Sequence, residues 1–288
     1  LKAHQQNQKI NSNRLKLKNS AGLALLSLLA LASPLMASDF SVSGESSTIL
    51  RMGTTTDNQN LYPLYEYLRL GMSDKLADGS TVSFNLGAWG RVDLGDRTTN
   101  KYSDHDLQYA FISYRAAKNN TVLNLGRQFI TEGVASEKID GLYLRQDFIE
   151  GLSASAFVGK PVLTETDFTG ANLIYGARIS HSMPKLYTIG FSALKNEESD
   201  GSKYREEQGI DIWVHPVQQL DLTGRSSYNS ISNDWMEHAY TLTLSPIEKL
   251  KLSANVTNIN YRDYLMNVTT KALSLTNGII NPYESLLS

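Results

Sequence analysis

The chain of 288 residues contains no cysteine. Disulfides and thiolate metal sites are therefore excluded, even though an exported protein has the chance to form disulfides. It carries no excess of one charge: 27 Lys and Arg stand against 29 Asp and Glu, with a pI of about 6.2. Nothing in that balance points to nucleic acid or another polyanion as partner. Beyond residue 40 no apolar run approaches the ~20 residues that a spanning helix needs. A chemically competent cluster is missing as well. His181 and His215 sit beside tight turns with Met183-Pro184 and Pro216, and no serine lies near Asp104-His105-Asp106 or Glu237-His238 in a recognisable nucleophile setting. Asp104-His105-Asp106 cannot all face one ion, because neighbours along a strand point to opposite faces. These absences lead us to expect no enzyme activity, no metal and no cofactor.

What is present begins with the N-terminus. Arg14, Lys16 and Lys18 precede an apolar stretch over residues 21–32, and Pro34, Ala37 and Ser38 supply small residues for cleavage. A basic region, a short apolar core and a small-residue site describe an export signal, which is removed and takes no part in the fold. Residues 1–37 are read as this signal with an upstream extension, and residues 38–288 as one β domain.

Within that domain, segments of about ten residues alternate apolar and polar side chains. In 81–94, Val82, Phe84, Leu86, Ala88, Val92 and Leu94 share one face, while Ser83, Asn85, Gly87, Trp89, Arg91 and Asp93 share the other. The same period of two runs through 171–180, 186–194, 219–228 and 249–257. It places the two sets on opposite sides of a sheet.

Tight turns (76–79, 117–120, 146–150, 181–185, 215–219 and 245–249) alternate with looser segments near 54–62, 95–104, 130–137, 161–170, 196–204 and 229–235. Short turns on one side and longer loops on the other are the signature of a transmembrane β-barrel, whose strands of 9–11 residues cross a bilayer when tilted. The mean hydropathy of −0.29 suits strands that show only every second residue to lipid. The 15 Tyr, against 8 Phe and 3 Trp, suit interfacial girdles.

The expected fold is therefore all-β: an antiparallel transmembrane barrel of about 14–16 strands. Thirteen segments are visible up to residue 259, and another is expected around 268–276. The ending Tyr283-Glu284-Ser285-Leu286-Leu287-Ser288 lacks a final aromatic strand, so the barrel is expected to be incomplete at the C-terminus.

With the apolar face toward lipid, the other face lines the lumen. The inward basic candidates are Arg51, Arg69, Arg91, Arg145, Arg178, Arg225 and Lys251. The inward acidic candidates are Asp93, Asp211 and Asp221, and the inward aromatics include Tyr67, Trp89, Tyr143 and Trp213. An arginine excess in a narrow channel would favour anions; arginines paired with aspartates would instead brace the wall. The longest loops are expected to set the constriction.

Leu123-Asn124-Leu125-Gly126-Arg127-Gln128, then Gly133, then Ile139-Asp140-Gly141-Leu142, resembles a hairpin of Gram-negative porins. It is similar to the "GRQ … G … DG" pattern of alginate-export and related substrate-permeation porins, over about 25 residues. Read on their own, Gly126 and Gly141 allow a kink or a close backbone approach. Arg127 and Asp140 can pair across the hairpin, beside Gln128. The resemblance implies a bacterial outer-membrane porin passing small hydrophilic solutes or ions by passive diffusion. Outer-membrane lipid and further copies of the chain are the partners it implies. The alternative is a non-conducting barrel that anchors or sheathes a partner, such as an extracytoplasmic electron-transfer protein.

Overall fold

The computed structural model describes residues 40–54, 56, 58–95, 103–162, 173–197, 203–247 and 249–260. The signal segment 1–37, the strand expected at 268–276 and most of the loops at 95–104 and 161–170 lie outside the described residues.

The described residues are almost entirely antiparallel strand. In order these are β1 (Ser41–Leu50), β2 (Gly53–Thr54), β3 (Asn60–Leu61), β4 (Pro63–Lys75), β5 (Thr81–Asp93), β6 (Ser103–Arg115), β7 (Val122–Glu132), β8 (Ala135–Asp147), β9 (Leu152–Pro161), β10 (Leu173–Met183), β11 (Tyr187–Glu197), β12 (Lys203–Val217), β13 (Leu220–Asn229), β14 (Asp234–Ile247) and β15 (Leu250–Ile259). β2 and β3 form a small ribbon in the first loop. The other thirteen make one sheet in which each strand pairs with the next along the chain. This up-and-down meander is the wall of an antiparallel barrel, and each of the thirteen segments read from the sequence is one of its strands. Among the described residues, β1 and β15 stand at the two ends of the order.

The turns follow local chemistry. The β4–β5 turn is closed by Gly79 with φ of 85°, which glycine adopts without Cβ strain. Asp78 caps it, accepting from the Ser80 backbone N–H at 2.9 Å and the Ser80 hydroxyl at 3.0 Å. These contacts hold the Asp78 carboxyl below its ordinary range, the backbone hydrogen bond most of all. In the β6–β7 and β10–β11 turns, Asn119, Asn120 and Lys185 take positive φ.

Burial is inverted relative to a soluble protein. The large apolar side chains at mid-strand are exposed, among them Leu125 at 60%, Ile179 at 50% and Val256 at 65%. They run across the sheet as register partners: Ile112 opposite Leu125, Leu125 opposite Leu142, Leu142 opposite Val158. On the other face, Gln128, Ser192, Glu207 and Asn229 are buried. A contiguous apolar belt of this extent is costly in water and stable against hydrocarbon.

Two expected loops differ. Segment 130–137 is no loop: β7 and β8 continue to Glu132 and Ala135 and turn through Gly133 and Val134 alone. Segment 229–235 is a short turn over residues 230–233, closed by Asn229, whose side chain accepts from Ile231 N and Ser232 N. The first error has a physical cause. The residues that extend β7 and β8 are stabilised by distant strands, which a local pattern does not reveal.

The β7–β8 hairpin leaves the wall. Its ladder to β6 stops at Ala110 opposite Arg127, and its tip crosses to the polar face of β10–β12. There Val134 N donates to Ser192 Oγ at 3.0 Å. A Cβ on Gly133 would meet Ser192 Oγ at 2.1 Å, and one on Gly209 would meet Val134 Cγ1 at 2.3 Å. Ile130, Ala135 and Ile139 of the hairpin bury against Phe157, Ile174 and Leu194 of the wall, forming the apolar core of the described chain. The bend follows three glycines in register, Gly126 opposite Gly141 and Gly141 opposite Gly159. A Cβ on Gly141 would lie 2.2 Å from the Val158 carbonyl oxygen, so the strands approach there as only glycine permits.

Candidate functional site

The inner face is set by register. Arg69, Trp89 and Arg91 share it with Tyr65 and Tyr67, through the pairs Arg69–Gly87, Tyr67–Trp89 and Tyr65–Arg91. Arg178, Asp211, Arg225 and Asp221 share it on β10, β12 and β13, and Lys251 lies on it in β15, in alternation with Ser253. Arg51 keeps the parity of this face, two residues beyond Ile49, which pairs with Tyr65. It lies just past the end of β1, with its guanidinium 5.4 Å above the Tyr65 ring. Asp93, at the rim end of β5, accepts from the backbone N–H groups of Tyr62 and Gly95 at 2.9 Å each. Its carboxylate closes a turn.

Five inner arginines are matched with carboxylates. Arg178 makes a two-pronged pair with Asp211 at 3.1 and 2.6 Å and approaches Glu132 at 3.8 Å. Arg225 grips Glu237 at 2.9 and 3.0 Å. Arg145 meets Asp147 at 3.2 Å, and Arg69 meets Glu45 at 3.4 Å. Arg205 bridges Glu207 and Glu137, tying the hairpin to β12. Asp221 accepts from Trp213 Nε1 at 2.8 Å and lies 3.4 Å from His215 Nδ1.

Glu45, Glu132, Glu137, Arg205, Glu207 and Glu237 were not assigned to the inner face from the sequence. Glu207 and Arg205 were within reach of that assignment, two and four residues before Gly209 in one alternating strand. Glu132 and Glu137 were hidden because their segment was taken for a loop.

A cavity of about 750 Å³ opens beside the hairpin tip. Its charged lining is Glu132, Arg145, Arg178, Asp211 and Arg225, continued by Thr223, Thr241, Asn255 and Thr257 along β13–β15. The hairpin tip therefore reaches into the inner space beside these charged side chains. Tyr143 donates to Glu132 Oε1 at 2.5 Å and fixes that carboxylate.

Of the residues singled out in this hairpin, Gly126, Arg127, Gln128, Asp140 and Gly141 lie at the bend, and Gly133 lies at the tip. Gly126 and Gly141 face each other in register. Arg127 makes a two-pronged pair with Asp140 at 2.7 and 2.8 Å. Gln128 is buried and donates through Nε2 to the Gly141 carbonyl at 3.3 Å. By strand parity Arg127 and Asp140 sit on the face opposite the lumen lining.

One serine–histidine contact is present on the outer face, where Ser226 Oγ lies 2.8 Å from His238 Nδ1. Ser226 is buried, and its Oγ is also 2.6 Å from the Tyr240 hydroxyl. A nucleophile needs an open approach for the substrate carbonyl, and this hydroxyl is capped.

No family model matches the chain, and no curated protein does. Among solved structures it is similar to an anion-selective porin from Comamonas acidovorans, at 13% identity and a TM-score of 0.44, covering 78% of this chain and 81% of that one. It is also similar to a multiply substituted mutant of the Rh. blastica porin, at 11% identity and a TM-score of 0.34, covering 76% and 94%.

Proposed function

We propose that the protein is a porin-like channel of a bacterial outer membrane, through which small hydrophilic solutes or ions diffuse passively. The observation that carries this reading is the inverted burial: an exposed apolar belt on one face, and on the other a polar lining with an open, charged cavity. A wall of at least thirteen strands leaves a lumen wider than side chains alone fill, and the inward β7–β8 hairpin narrows it. Because Arg69, Arg145, Arg178, Arg205 and Arg225 are paired with carboxylates, the lumen is weakly selective; the arginine excess read from the sequence is offset by these partners. The sheathing alternative is disfavoured by the same hairpin, which occupies space that a threaded partner would need.

The test is planar-bilayer recording of the refolded protein under a salt gradient. Stepwise, nearly ohmic openings with a small reversal potential are expected. Insertion without openings would overturn the channel reading.

A further inference from the structure

A hairpin that leaves a barrel wall exposes two strand edges, and their backbone groups need partners. Here β7 runs on past Arg127 to Glu132, and β6 extends from Ala110 back to Ser103, with no ladder between them. β6 also slips register between the partners of Gly87 and Ala88, which re-aims its upper half. Among the described residues, side chains bridge this gap. Lys138 Nζ lies 2.9 Å from Asp106 Oδ2. Arg127 donates through Nη1 to the Leu107 carbonyl at 3.2 Å, with Asp106 Oδ1 4.0 Å away. The same guanidinium holds Asp140. Lys138 is largely buried, its side chain 11% exposed, so the pair is shielded from the screening that weakens surface ion pairs.

Resting on the channel reading, we propose that Asp106, Lys138, Arg127 and Asp140 form a latch that positions the constriction hairpin, so that lumen width is set from behind the hairpin as well as at its tip. These are positioning residues, and they touch no solute. The tip contacts, from Val134 to Ser192 and from Glu137 to Arg205, hold the far end. The latch holds the near end, where the glycine row makes the backbone easy to bend. Asp106 is contributed by the wall strand β6, and Lys138 by the hairpin. Arg127 belongs to both, because it is the last residue of β7 still paired with β6.

The experiment uses a background free of native cysteine. Thr131→Cys and Thr257→Cys, both in the cavity lining, take spin labels, and their distance distribution reports hairpin position. Conductance is recorded in parallel. Asp106→Asn is near-isosteric and removes the charge; Asp106→Lys with Lys138→Asp restores the pair in reverse. The expected result is a rise on the order of tenfold in the displaced hairpin population with Asp106→Asn. Larger and noisier openings accompany it, and the reversed pair brings both readouts back. A merely structural loss would not be rescued by the swap.

If the unaltered protein conducts but Asp106→Asn leaves distances and openings unchanged, the latch is overturned and the channel reading survives. If the unaltered protein does not conduct while the distances shift and are rescued, the hairpin latch stands and the channel reading falls.

Discussion

Ile139→Ala tests whether the hairpin is held by apolar burial inside an otherwise polar lumen. Ile139 is fully buried, with Ile130, Phe157, Ile174 and Leu194 in the same cluster. The substitution deletes three carbons, about 2.4 kcal/mol at ~0.8 kcal/mol each. The cavity left behind adds to this, for a total of roughly 3 kcal/mol. The cost falls mainly on hairpin docking, because the strand ladders of β8 are unaffected. A loss of ~3 kcal/mol shifts the docked-to-undocked ratio by about two orders of magnitude. Hydrogen–deuterium exchange of the protein in detergent reads this directly. Amides in 128–139 should lose protection strongly, while those of β5 keep theirs. Ile179→Ala is the control. Ile179 is half exposed on the outer face, where hydrocarbon replaces the lost contacts, and its effect on 128–139 should be negligible. Equal protection of 128–139 in Ile139→Ala and the unaltered protein would refute the reasoning, as would an equal change from both variants.

Leu125→Arg places a charge in the apolar belt, at a cost of about 2–4 kcal/mol near the bilayer midplane; folding titrations into lipid vesicles should show it, and wild-type folding would argue against the assigned outer face. Glu237→Gln removes the negative charge that Arg225 grips in the lumen. The reversal potential should move toward anions, by up to roughly fivefold in permeability ratio for an unscreened charge at contact, and the shift should shrink in high salt. Asp78 titrates below the ordinary carboxylate range in the folded chain because Ser80 donates to it. Its contribution is therefore present above the unfolded-state value and is lost as pH falls through the lower folded-state value. Asp78→Asn should flatten the dependence of the unfolding midpoint between neutral pH and about pH 3.

The sequence by itself determined the strands and their two faces. A period of two is a local property, so Val82, Phe84 and Leu86 separate from Ser83 and Asn85 without reference to any other part of the chain. Turn chemistry is local too, as Asp78-Gly79 shows. The motif around Gly126, Arg127, Gln128, Asp140 and Gly141 was visible as a hairpin, since its partners lie within about fifteen residues of one another. What only the tertiary structure decided is where that hairpin goes. Ile130, Val134 and Ile139 read as ordinary members of a loop and its flanks until Phe157, Ile174, Ser192 and Gly209 are brought beneath them. Those partners lie up to some eighty residues away, and no local period encodes them. The same holds for the charges of the lumen. Each arginine could be assigned a face from its own strand, but its neutralisation by Glu45, Glu132, Glu207 or Glu237 depends on cross-strand register and on the curl that closes the hairpin over the wall.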